Sequence, residues 1–65
     1  MLKRYVGQPI DTFMTQEGFA YEAMSPLRNG GAVYRFSGGP GGQRCVFYVS
    51  TSPAGTITTY RFENC

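Results

Sequence analysis

Arg44 to Cys65, RCVFYVSTSPAGTITTYRFENC, reads as a β-hairpin with a cysteine near each end. Cys45 to Ser50 (CVFYVS) and Thr56 to Phe62 (TITTYRF) are rich in β-branched and aromatic residues, which suit a pleated, half-buried surface. Between them, Pro53 presets φ for the second position of a β-turn and Gly55 fits its last position. A turn over Ser52 to Gly55 places Cys45 opposite Phe62, Phe47 opposite Tyr60 and Val49 opposite Thr58. Side chains alternate with period two, so these six share a face. Val46, Tyr48, Ser50, Ile57, Thr59 and Arg61 take the other. The first set is the more apolar and is assigned to the core. A slip of one residue would send Tyr60 and Phe62 into water, so the pattern itself selects the register.

Cys65 overshoots its strand, and Glu63-Asn64 can reverse the chain and return it toward Cys45. A Cys45–Cys65 bridge would close a loop of roughly 20 residues and contribute on the order of 3 kcal/mol in the chain-entropy model. The alternative is two free thiols, one buried and one at a frayed end. The facing geometry favours the bridge.

A chain of 65 residues makes one domain, residues 1–65, and chains this short are marginal unless stapled, metal-bound or oligomeric. A hydrophobic share of 42% and an aromatic share of 15% are enough for a core and exclude a disordered chain. The net charge of +2 is too mild to imply nucleic acid. No apolar run approaches a membrane span of about 20 residues. Met1-Leu2-Lys3-Arg4 has the basic start of a signal peptide without the apolar stretch that follows one. The expectation is a cytoplasmic protein, or a mature segment whose targeting sequence is absent. The second fits a disulfide better, because disulfides persist in oxidising compartments.

Met1 to Val6 reads as a lead-in, either a solvated arm or a short edge strand. Pro9 suits the first position of a helix and Asp11 its first turn, and Ile10, Phe13 and Met14 form one apolar stripe. Gly18 stops the helix, with Phe19 as the hydrophobic contact that follows. The helix therefore runs from about Pro9 to Glu17 and must dock on a sheet to persist. Phe19 to Leu27 is a weaker strand that Pro26 confines to an edge or a bulge. Arg28-Asn29-Gly30-Gly31 signals a hairpin with a type I′ turn. Ala32 to Ser37 returns, with Ala32, Tyr34 and Phe36 on one face and Val33 and Arg35 on the other. Gly38-Gly39-Pro40-Gly41-Gly42 is a long connection; it lacks the Lys-Ser or Lys-Thr and the helix of a phosphate loop. The fold class is α+β: one short N-terminal helix packed on a four-stranded antiparallel meander sheet.

The chemistry of an enzyme is hard to find. The sequence has no histidine, the commonest general base and metal ligand. Two cysteines cannot make a usual zinc site, and Asp11, Glu17, Glu22 and Glu63 do not converge. No serine stands in a nucleophile motif. No catalytic, cofactor or metal residue is assigned, and the chain is read as no enzyme. What remains is a surface: Arg35, Val46, Tyr48, Thr59 and Arg61 on the sheet face away from the helix. Arginine and tyrosine are enriched at interface hot spots and also stack on single-stranded nucleic acid. An ordinary solvated face is the plain alternative. Nucleic acid is disfavoured, because two arginines make a poor electrostatic footprint.

Val6-Gly7-Gln8-Pro9 before a helix, Gly18, Val33-Tyr34-Arg35-Phe36, Cys45-Val46-Phe47-Tyr48-Val49, Gly55-Thr56-Ile57 and the final Glu63-Asn64-Cys65 together resemble small bacterial envelope proteins of the SmpA/OmlA (BamE-like) type. The resemblance spans about residues 6–65. It implies the periplasm or the periplasmic face of the outer membrane, and a scaffolding or binding role through a protein interface. The chain departs from the family in having one helix where two are usual, Gly18-Phe19-Ala20 in place of Gly-x-Pro, and no N-terminal lipidation cysteine. Two other readings follow from the small α+β fold. One is a cytoplasmic phage or mobile-element inhibitor of a host enzyme; the other is a nucleic-acid-binding module using Arg35, Tyr48 and Arg61. An edge strand also offers a homodimer contact.

Overall fold

The alternation in CVFYVST produces the strand on which the molecule is built. The structure, a computed structural model, describes residues 2–38 and 45–63. A 3₁₀ turn at Leu2–Tyr5 leads into helix α1 (Ile10–Glu17). Four strands follow: β1 (Ala23–Pro26), β2 (Ala32–Gly38), β3 (Cys45–Thr51) and β4 (Ile57–Phe62). They pair antiparallel in the order β1-β2-β3-β4, the expected meander. Most of the Gly-rich connection, together with Asn64 and Cys65, lies outside the described residues.

Pro9 caps α1 in an extended conformation, and Gly18 ends it in the left-handed region, its N–H donating to the Met14 carbonyl. Ile10 and Phe13 are buried and Met14 packs beside them, so the expected stripe faces the sheet. Phe13 is fully buried at the centre of the core. Its ring meets Tyr5 and Phe36 edge-on at 5.1 and 5.4 Å and stacks on Phe19 at 5.7 Å. Phe36 in turn stacks on Phe47 at 5.3 Å. Each such pair adds about 1 kcal/mol beyond the area it buries.

Four expectations are corrected. The register of the last hairpin is displaced by two residues: Phe47 lies opposite Phe62, Tyr48 opposite Arg61 and Val49 opposite Tyr60, not Cys45 opposite Phe62. The displacement has two one-residue sources. At the turn, the Gly55 N–H donates to the Ser52 carbonyl and the Ser52 N–H to the Thr56 carbonyl. With Gly55 at φ 83°, this is a three-residue loop with a left-handed last residue. Farther on, a bulge at Thr58 shifts the ladder again between Ser50 and Thr51. Two shifts restore the parity, so Tyr60 and Phe62 keep their assigned face. The bulge exchanges its neighbours: Ile57 turns into the core at 1% exposed, while Thr58 is exposed with its hydroxyl donating to the Ser50 carbonyl.

The second correction concerns Asn29-Gly30, which does not form a type I′ turn. No described non-glycine residue has positive φ. The Gly30 N–H donates to the Leu27 carbonyl and the Leu27 N–H to the Gly31 carbonyl, the same loop as at Ser52–Thr56. Third, the N-terminal lead-in exposes Lys3 and Arg4 but is neither a free arm nor a strand along Leu2–Tyr5. Leu2 and Tyr5, one 3₁₀ turn apart, are 1% and 3% exposed and belong to the core. The chain then runs along β4: the Gly7 N–H donates to the Ile57 carbonyl and the Ile57 N–H to the Gln8 carbonyl. Fourth, the strand expected over Phe19 to Leu27 is confined to Ala23–Pro26, because Phe19 leaves the sheet to pack on Phe13 and Phe47.

Candidate protein interface

Alternation along the strands fixes what the sheet presents away from α1. In β3, Cys45, Phe47, Val49 and Thr51 are buried, and Val46, Tyr48 and Ser50 are half-buried on the opposite side. The register then sets a row across three strands, with Arg35 of β2 beside Tyr48 of β3 and Tyr48 beside Arg61 of β4. Of the five residues read from the sequence, these three come together. Thr59 lies opposite Ser50 in the adjoining pair, and Val46 lies on the other side of the row, opposite Ser37.

The row is held by its own contacts. The Arg61 guanidinium carbon lies 5.0 Å from the Tyr48 ring centroid, a cation–π contact worth about 0.5–1 kcal/mol at an exposed site. Glu22 secures the other end. Its backbone N–H donates to the Arg35 carbonyl at 2.8 Å, and its carboxylate lies 3.5 Å from Arg35 Nη1. The same carboxylate accepts from the Ser37 hydroxyl. Both partners of the ion pair are largely solvated, so the pair orients Arg35 more than it stabilises the fold. At the β4 end the Glu63 N–H donates to the Val46 carbonyl. The hydrogen bond from the Tyr48 phenol to the Glu63 carboxylate, then burial, hold the phenol above its ordinary pKa.

Val33, Tyr48, Ser50, Thr59, Tyr60 and Arg61 line a shallow depression of about 470 Å³ on this side. It presents the Tyr48 ring, the Arg61 guanidinium and small hydroxyls. Among the described residues, no group of three or more His, Cys, Asp or Glu is placed to hold a metal.

The two acidic ends of the row were missed by sequence reasoning, for different reasons. Glu63 was accessible, since alternation carried two residues past Arg61 puts it on the same face. Glu22 was not, because it precedes β1 and nothing local marks where that strand begins. Cys45, at the start of β3 opposite Gly38, is 7% exposed and is not a free thiol. Its expected partner, Cys65, lies outside the described residues. Among those residues, no helix is long and apolar enough to cross a membrane. No protein-family model, curated protein or solved structure matches the chain.

Proposed function

We propose that this chain is a non-catalytic protein-binding module of the bacterial envelope, engaging its partner through the Arg35–Tyr48–Arg61 row. The observation that carries the reading is the row itself. Tyrosine and arginine, the residue types that dominate interface hot spots, stand side by side on a rigid sheet, with Arg35 already paired to Glu22 and Arg61 over the Tyr48 ring. Side chains fixed before binding lose less entropy when a partner arrives. Carboxylates at both ends balance the two arginines, which suits a mixed polypeptide surface and works against a polyanion. The envelope location rests on the cysteines. Cys45 is buried and not free, as a bridge to Cys65 in an oxidising compartment requires.

The test compares the wild-type chain with Tyr48→Ala and with a Thr15→Arg control on the exposed side of α1 as baits for envelope extract. One protein should be retained by wild type and control, with at least tenfold less on Tyr48→Ala, and bind the purified chain directly. Equal retention by all three baits overturns the assignment of the face. Salt-dependent binding of single-stranded oligonucleotides that is lost in Tyr48→Ala would support the nucleic-acid reading instead.

A further inference from the structure

The Asn29-Gly30 pair at the first hairpin lies outside the proposed interface and carries a reaction of its own. An asparagine followed by glycine deamidates, because glycine has no Cβ to shield its own nitrogen. The Gly30 nitrogen attacks the Asn29 side-chain carbonyl carbon and closes a five-membered succinimide. The side-chain nitrogen leaves as ammonia, taking the Gly30 amide proton with it. Water then opens the ring at either carbonyl. One opening gives an aspartyl residue. The other gives an isoaspartyl residue, whose main chain is longer by a methylene. Water is the only co-reactant, and nothing is oxidised or reduced.

Both residues are exposed, so solvent reaches the pair. The fold holds it away from the geometry of reaction. The Gly30 N–H donates to the Leu27 carbonyl at 3.1 Å and Asn29 keeps negative φ, so Asn29 is the third residue of a type I turn, with ψ of about 0°. Ring closure needs ψ turned far from there, to bring the Gly30 nitrogen onto the side-chain carbonyl carbon. Two hydrogen bonds break on the way: that of the Gly30 N–H, and that of the Gly31 N–H to Asn29 Oδ1 at 2.8 Å. The neighbouring hairpin also backs the loop. A Cβ at Gly30 would stand 3.4 Å from Pro53 Cγ, and one at Gly31 would stand 2.0 Å from the Thr51 carbonyl oxygen.

We propose that Asn29 is a fold-gated deamidation site, held unreactive in the closed Leu27–Gly31 loop and converted, when the loop opens, to an isoaspartyl linkage that the loop cannot readmit. The two products differ in this respect. An aspartyl carboxylate still offers an oxygen to the Gly31 N–H. An isoaspartyl linkage lengthens the chain between the Asn29 and Gly30 α-carbons and displaces Gly31, which has the Thr51 backbone against it. The site therefore turns an unfolding event into a covalent change that refolding does not erase. It does not depend on the function proposed for the Tyr48 face.

The test follows the fragment containing Asn29 by chromatography and mass spectrometry, in native chain and in urea above the unfolding midpoint, at one pH and temperature. Asn29 should deamidate at least tenfold more slowly in the native chain, since only the opened loop reacts. Gly31→Ala pushes the loop off Thr51 and leaves both reacting groups intact, so wherever it folds it should deamidate faster than wild type. Chain converted in urea and returned to buffer should then divide by its melting. The aspartyl form should melt with Asn29→Asp, close to wild type, and the isoaspartyl form well below both. Equal rates in folded and unfolded wild type overturn the gate, whether or not Gly31→Ala folds. So does a folded Gly31→Ala that is no faster than wild type. An isoaspartyl chain that melts with wild type overturns the claim that the loop excludes it.

Discussion

Gly31 and Gly55 are both glycines at hairpin turns and are needed for different physical reasons. A Cβ at Gly31 would stand 2.0 Å from the Thr51 carbonyl oxygen, because the β1–β2 hairpin crosses close to the end of β3. Gly55 has open space around it and needs only its φ of 83°. Gly31→Ala forces backbone apart and should cost about 3 kcal/mol. Gly55→Ala should cost about 1 kcal/mol, the strain of a left-handed alanine. Urea unfolding monitored by circular dichroism should separate them, and equal costs would contradict the close approach. The sequence marked a turn at Asn29-Gly30-Gly31 and misread its type. In place, Asn29 keeps negative φ and spends its side-chain carbonyl on the Gly31 N–H at 2.8 Å, while Gly30 supplies the left-handed residue. Asn-Gly chemistry serves both loop types. The choice is made by the strand ladder on either side, which no single residue reports.

Among the elements, the helix was legible because stripe, cap and stop agree over a short window: Ile10, Phe13 and Met14, then Pro9, then Gly18. The Leu2–Tyr5 turn was not, since a single pair at spacing three is too brief to register as a period. What anchors it is a side chain. The Tyr5 hydroxyl donates to Glu17 Oε2 at 2.7 Å and also lies 3.1 Å from Gln16 Oε1, tying the chain start to the last turn of α1. The hydrogen bond to Glu17, with burial and the carboxylate's charge, raises the Tyr5 pKa above 10.0, and Arg4 opposes this only in part. A phenol with a raised pKa binds its proton more tightly in the folded chain. Its contribution is present below the unfolded value and is lost as pH climbs through the folded one. Melting temperatures from pH 8 to 11.5 should therefore fall more steeply for wild type than for Tyr5→Phe. Parallel curves would show that the Tyr5–Glu17 hydrogen bond is not formed in solution. The bulge at Thr58 was equally hidden, because TITTYRF alternates in a way that permits either Ile57 or Thr58 to face inward. The core decides, since burying Ile57 removes more apolar surface from water than burying Thr58.

At the scale of the molecule, meander order and core were readable because β3 alternates without a break, β2 and β4 alternate over most of their length, and glycines mark the connections between strands. The Arg35–Tyr48–Arg61 row was readable as a face, while its acidic ends depended on where strands start and stop. The proposed bridge belongs to this scale as well, because it joins the start of β3 to the chain end across the open mouth of the last hairpin. Glu63 is bonded to Val46, the neighbour of Cys45, and the two residues from Glu63 to Cys65 reach at most ~7 Å. A disulfide needs its Cα atoms within about 7 Å, so the span is sufficient. The closed loop of roughly 20 residues is worth on the order of 3 kcal/mol, comparable to what the core of so small a domain supplies. The oxidised chain should show no reactive thiol and should lose about 10 °C or more of melting temperature in reductant. Cys65→Ser should melt where the reduced chain does and respond to no reductant. Two reactive thiols in native protein, with melting indifferent to reductant, would remove both the staple and the argument for an oxidising compartment. The search for a partner of the Tyr48 face would then move to the cytoplasm.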